Sequence, residues 1–239
     1  MRSSLLRTAN AFLAVVVAIL VSRRFGDSSI ARDLTVLITS AVVLLFEWLL
    51  IWTPKHSASV RRFLDERARF SGVWLQEVKK VYGSKGVERD YPNRFGIVSI
   101  DYDKDVDNYN VNGTAYTDSG DEHARWDSEP VVHFSKNGRS MTYQWKGAIT
   151  SESQSMEADD PRRDGFTTLI LSSDNGGRGR VDHVAVNVII EFNLTRITAE
   201  WLAENKLSGK PETLSNPSHR DKFAKAFAET LVRQKAAGA

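Results

Sequence analysis

The chain has 239 residues, enough for one substantial domain with an appendage or for two small domains. Its 32 basic and 30 acidic side chains leave a formal charge of +2, which argues against a surface dedicated to a DNA or RNA polymer. It has no cysteine, which excludes a disulfide framework and a thiolate metal site and is consistent with a reducing compartment.

Two apolar runs open the chain. The first extends from Leu5 to Val21 and is interrupted only by Arg7 and Asn10; the second extends from Leu34 to Trp52 and is interrupted only by Glu47. A helix needs about 20 residues to cross about 30 Å of hydrocarbon, so spans are expected over about 5–22 and 34–53. A cleaved signal peptide fits poorly, because VSRRFGDSS lacks a small-x-small cleavage pattern and a second apolar run follows at once. A soluble helical hairpin fits poorly too, since neither AFLAVVVAILV nor LTVLITSAVVLLF carries a polar stripe. One span with one interfacial helix remains open beside two spans. The short polar linker SRRFGDSSIARD makes residues 1–54 an antiparallel hairpin. Arg2 and Arg7 at one end, with Lys55, Arg61, Arg62, Arg67 and Arg69 at the other, place both termini on the cytoplasmic side.

Glu47 and Asn10 fall at similar depth on one side of such a hairpin. An intramembrane carboxylate is costly and faces a partner or water. The open roles are a clasp to Asn10 or Arg7 within the hairpin, a contact between protomers that assembles a homo-oligomer, and a polar pore lining after assembly. Ala11, Ala14 and Ala18 give the first helix a small-residue edge for close packing.

Residues 55–71 read as a charged connector helix with Val60, Phe63, Leu64 and Phe70 loosely at helical spacing, either lying on anionic headgroups or solvated. From Gly72 the texture is that of strands: GVWLQEV, RFGIVSIDY, YNVNGTAYT, EPVVHFS, SMTYQWKGAIT, GFTTLILSS, VDHVAVNVIIEF and RITAEWLAE, separated by YGSKG, DSGDE, SKNGR and DNGGRG. Tight sequential turns favour a small antiparallel eight-stranded up-and-down barrel over a sandwich. After Pro217, Phe223, Ala224, Phe227 and Leu231 recur at helical spacing, so the domain over 72–239 closes with a C-terminal helix.

Catalytic motifs fail on inspection. Asp101, Asp103 and Asp105 imitate the start of an EF-hand loop, but Val106 and Asn112 stand where glycine and glutamate are required. The five histidines show no ligand spacing, and a strand rather than a helix follows GGRGR. The chain reads as a binder, not an enzyme, with no metal or cofactor. Its candidate ligand-binding residues are Tyr109, Tyr116, Arg125, Trp126, Tyr143, Trp145 and Arg196, with Lys146 beside them. Aromatic rings that stack and cations that pair with phosphate suit a nucleotide. Barrels also fill with aromatics for packing alone. By strand alternation Tyr143 and Trp145 share one face.

Gly72-Val73-Trp74 is similar to the opening strand of lipocalin-like barrels. With two N-terminal membrane helices, a basic connector, and the segments GVWLQEV, FGIVSIDYD, YNVNGTAYTDSG and ARWDS, nearly the whole chain resembles the two-transmembrane, β-strand-rich effectors of bacterial cyclic-oligonucleotide antiphage defence (CBASS). The resemblance implies a multi-pass inner-membrane protein with a cytoplasmic lipocalin-like barrel. That barrel would bind a cyclic dinucleotide second messenger, and oligomerisation would then disrupt the membrane and kill the infected cell. Related systems hold a similar effector inactive with the nucleotide, so the sign of the switch stays open. A membrane-tethered binder of an apolar ligand is the alternative.

Overall fold

The computed structural model describes residues 2–25, 29–83, 88, 95–149, 162–184 and 188–237, and the side chains of residues 2–10 are among those outside the description. The chain forms two compact units, Met1–Asp65 and Glu66–Ala239.

In the first unit, α1 (Arg2–Phe25) and α2 (Ser29–His56) lie against each other. Among the described residues one segment, the 21-residue stretch Val36–His56, is long and apolar enough to cross a membrane, and none of it is buried within the protein. A span over 5–22 falls on α1 and stays an expectation. The apolar helix continues beyond Trp52 and through Pro54. Its last turns are held by the Thr53 hydroxyl donating to Leu49 O at 2.5 Å and by His56 Nδ1 lying 2.9 Å from Trp52 O. Trp48, Trp52 and His56 stack in series along one face, with centroid separations of 5.6 and 4.2 Å. Glu47 lies within this segment, and α2 runs on past it to His56. Asn10 and Arg7 lie on α1, but their side chains are outside the described residues.

The connector is not one helix. Ser57 turns extended and caps α3 (Ala58–Leu64), accepting from the Val60 N–H, and Asp65 ends it. A 3-10 turn, Glu66–Phe70, then belongs to the second unit. A serine offered as a cap competes with continuation of the helix. Phe70 leaves the helical stripe because it is fully buried in the barrel core.

The second unit is a closed barrel of eight antiparallel strands in sequence order, β1 (Gly72–Tyr82), β2 (Phe95–Asp103), β3 (Asn108–Tyr116), β4 (Glu122–Phe134), β5 (Ser140–Ile149), β6 (Arg162–Leu171), β7 (Gly176–His183) and β8 (Val188–Arg196), with β8 returning to pair with β1. The eight strands are not all the expected ones. VDHVAVNVIIEF divides between β7 and β8, and DNGGRG, expected as a turn, supplies the start of β7. RITAEWLAE is not a strand. It ends β8 and then forms the short helix α4 (Ala199–Glu204), capped by the Thr198 hydroxyl accepting from Trp201 N. The C-terminal helix α5 (Pro217–Ala237) forms as its spacing implies, with Phe223, Ala224, Phe227 and Ala228 buried.

Two cores result. Inside the barrel, alternate residues of the strands pack into one cluster that includes Phe70, Trp74, Ile100, Tyr109, Met141, Tyr143, Trp145, Leu169 and Phe192. Outside it, α4, the 3-10 turn Pro211–Ser215 and α5 cover the outward faces of β1 to β3, through Leu75, Phe95, Ile97, Tyr116, Leu202, Leu214 and Phe227. The outer core carries an internal arginine. Arg220, 1 % exposed, donates to Leu214 O, Ser215 O and Asn112 Oδ1. A buried cation needs such a set of acceptors.

Candidate functional site

The two ends of the barrel differ. At one end Gly72, with φ +127°, turns the chain into β1 in a conformation that favours glycine. Trp74 lies fully buried two residues on, its indole N–H donating to Phe70 O at 2.7 Å. The Arg196 guanidinium lies 4.3 Å from the centre of the Trp74 ring and donates to Ser71 O at 2.7 Å, to Asp174 O at 2.8 Å and to Arg69 O. Beneath them Phe70, Phe134, Tyr109 and Tyr102 meet edge to face at centroid distances of 5.2–5.8 Å. This end is a sealed floor.

Toward the other end the interior opens into a cavity lined by Gln76, Val78, Ala115, His123, Trp126, Trp145, Thr167, Val181, His183, Ile190 and Phe192. Its volume is about 70 Å³, and the empty space between its lining atoms, open mouth included, is about 710 Å³. Glycines make it. Trp126 is paired with Gly113 on β3 and Gly147 on β5, Trp145 with Gly165 on β6, Phe192 with Gly179 on β7, and Gln76 with Gly96 on β2. A Cβ on Gly113 would sit 2.3 Å from the Trp126 ring, and one on Gly179 would sit 2.2 Å from the Phe192 ring. Each large inward side chain therefore lies over the bare backbone of its neighbour, which keeps the centre empty. Trp126 and Trp145 are tilted at 57° with centroids 6.4 Å apart, and His183 meets Trp145 edge-on at 4.9 Å.

The residues expected at the site separate into three groups. Trp126 and Trp145 line the cavity, and Tyr143 lies just beneath, its hydroxyl beside Thr167 and the Trp126 indole and its pKa raised by burial. Arg125 borders the cavity but points outward, since its neighbour Trp126 points in; its guanidinium is paired with Glu122 at 2.5 Å. Lys146 alternates out as well and is paired with Glu129 at 2.6 Å. Tyr109 is sealed in the floor. Two residues lie apart from the cavity: Tyr116 faces away from the interior and its hydroxyl donates to Asp221 of α5 at 3.0 Å, while Arg196 closes the floor over Trp74. The place of Tyr116 follows from β-strand geometry: Tyr109 and Tyr116 are an odd number of residues apart and cannot share a face.

Gln76, His123, Thr167 and His183 were not anticipated. Gln76 was legible, because it stands two residues from Trp74 on the same strand; the others depend on where the barrel closes. Among the described residues no group of three His, Asp or Glu side chains is placed to hold a metal ion. Asp103 instead accepts from Asp105 N at 2.9 Å, an arrangement that shapes the β2–β3 turn and lowers its pKa.

No family model matches the chain, and no curated protein matches it.

Proposed function

We propose that this protein is a membrane-embedded effector of cyclic-oligonucleotide antiphage defence, in which the barrel binds a cyclic dinucleotide and the bound state governs assembly and disruption of the inner membrane. The reading is carried by one observation: an aromatic cavity with polar groups in its wall, in a chain that also has a helix able to span a bilayer. Indole faces stack with any base, and stacking is worth about 1–3 kcal/mol per base. A base enters the cavity against the tryptophans while the rest of the ligand occupies the mouth. A ligand drives assembly only by binding the assembled state better than the monomer. In this reading Glu47, near the middle of Val36–His56, is the polar contact between protomers, and the barrel and both termini face the cytoplasm.

The test uses the full chain in lipid nanodiscs. Calorimetric titration with a panel of cyclic di- and oligonucleotides is expected to show binding by at least one, and leakage from vesicles with and without that ligand gives the sign of the switch. Glu47→Ala is expected to insert normally and to lose assembly or leakage. Silence across the whole panel sinks the nucleotide reading.

A second reading is favoured by the lining itself. Among the described lining residues Arg125 is the one arginine or lysine, and its guanidinium is engaged by Glu122 outside. A dinucleotide carries two phosphates, whereas an apolar ligand needs no cation. Saturable uptake of a fluorescent fatty acid that no cyclic dinucleotide displaces would establish a membrane-tethered binder of apolar ligands instead.

A further inference from the structure

The apolar helix ends in an aromatic face that the cavity does not account for. Trp48 and Trp52, 54 % and 43 % exposed, stack with His56 in the last turns of α2. Indole rings settle at the boundary between hydrocarbon and water. The helix breaks just beyond, at the single extended residue Ser57, and α3 starts at Ala58. The two helices are tied across the break: Ser57 N donates to Thr53 O at 2.8 Å, and the Arg61 guanidinium donates to Pro54 O at 3.0 Å. In a bilayer, α3 therefore begins where α2 leaves the apolar layer. No side chain of α3 is buried. Phe63 is 79 % exposed, more than any other large apolar side chain among the described residues. A lone exposed phenylalanine on a soluble surface means little, but this one is held next to a membrane boundary.

Resting on the reading of α2 as a membrane span, and on no ligand of the barrel, we propose that α3 docks on the surface of an anionic phospholipid bilayer. Phe63 is set among the acyl carbons and Arg62 on the headgroup phosphates. Charge and continuity with the span both favour this occupant. Residues 55–64, KHSASVRRFL, carry Lys55, Arg61 and Arg62 and no acid; carboxylates return only at Asp65 and Glu66. Basic side chains this close to an anionic leaflet are drawn to it, each contributing about fivefold in affinity. Arg62 and Phe63 are adjacent and both exposed. The long arginine stem lies along acyl carbon while its head stays in the polar layer, so the two side chains engage one surface together. Cytoplasmic leaflets carry the negative lipid charge, which suits a barrel on that side.

The chain has no cysteine, so a nitroxide can be attached at one chosen position of the full-length protein. Three sites are compared: Leu44→Cys in the apolar segment, Ser59→Cys one turn before Phe63 on the same face of α3, and Glu204→Cys at the exposed end of α4. Each is placed in nanodiscs of phosphatidylcholine alone and with about a quarter phosphatidylglycerol, and collision with oxygen against a water-soluble nickel chelate reads the depth of the label. In the anionic discs Ser59→Cys is expected to be shielded from the chelate about fivefold relative to Glu204→Cys, and less in the neutral discs. Adding Arg62→Gln is expected to remove most of that lipid dependence, and adding Phe63→Ser to lower the shielding about threefold or more in both. Neither addition shifts the melting temperature, because neither side chain is buried. A label at 59 as open to the chelate as one at 204 in both discs shows a solvated connector and overturns the proposal. Shielding that ignores lipid charge overturns the anionic preference, and shielding that survives Phe63→Ser overturns the role of its ring. Exposure of the Leu44→Cys label to the chelate removes the span and this inference with it.

Discussion

The floor and the mouth of the barrel are built from the same eight strands and follow opposite rules. At the floor Trp74 is covered by Arg196 and bonded to Phe70, and the guanidinium of Arg196 is spent on three backbone carbonyls. At the mouth, large residues face glycines, space is left between them, and Trp145 and Gln76 keep unpaired donors. Packing density and hydrogen-bond satisfaction stabilise a fold, so a region that forgoes both is held open for something else. The barrel thus separates a tightly packed end from an open end along one axis.

The comparison is broken most directly at the floor. Trp74→Ala is expected to cost about 3–5 kcal/mol, the scale for deleting a buried tryptophan, measured by urea denaturation. A loss below about 1 kcal/mol would mean that the floor is not the stabilising end. Arg196→Ala comes next at about 2 kcal/mol, from charge-assisted hydrogen bonds lost with no change in ligand affinity. Altered affinity would return Arg196 to the binding site.

Gly113→Ala tests the mouth. The new methyl displaces the Trp126 indole into the cavity, at an expected cost of about 1–2 kcal/mol for overpacking. Ligand binding is lost and tryptophan emission shifts. Retained binding with unshifted emission would show that the glycines do not set the cavity.

The smallest effect is alkaline. Burial raises the Tyr116 hydroxyl, with Asp221 adding to it, and burial raises Tyr143 likewise. The folded protein therefore keeps both protons where the unfolded chain loses them, near the ordinary value of 10.0. Above that pH the unfolded state binds fewer protons than the native one, so stability falls as pH rises past 10 and is unaffected below it. Replacing both residues by phenylalanine is expected to flatten the decline. If it does not, other groups govern alkaline unfolding.

Legibility in the sequence followed the range of the interaction involved. Strand texture and turn chemistry are local, so β1 to β3 and α5 were readable as elements, and Tyr143 and Trp145 were readable as sharing a face. The Gly176–Arg180 segment was not readable as a strand, because glycine has poor strand propensity and is held there by pairing with Leu169 to Leu171 and with β8. RITAEWLAE looked β-rich by composition, yet Thr198 caps a helix there whose Leu202 packs in the outer core. At the site, the opposite faces of Tyr109 and Tyr116, or of Arg125 and Trp126, were available from alternation alone.

By itself the sequence determined an apolar N-terminal unit with a helix that can cross a bilayer, followed by a succession of short antiparallel strands and a C-terminal helix. Those follow from hydrophobicity and periodicity, which neighbouring residues carry. Tertiary structure alone decided which face of each strand turns inward, since closure of β8 onto β1 and the irregularities in β1 and β4 set that choice. It also decided that Arg196 seals a floor while Gln76 and Trp145 both line a cavity. Residues 76, 145 and 196 are far apart in the chain, and only the closed barrel brings their strands into one wall.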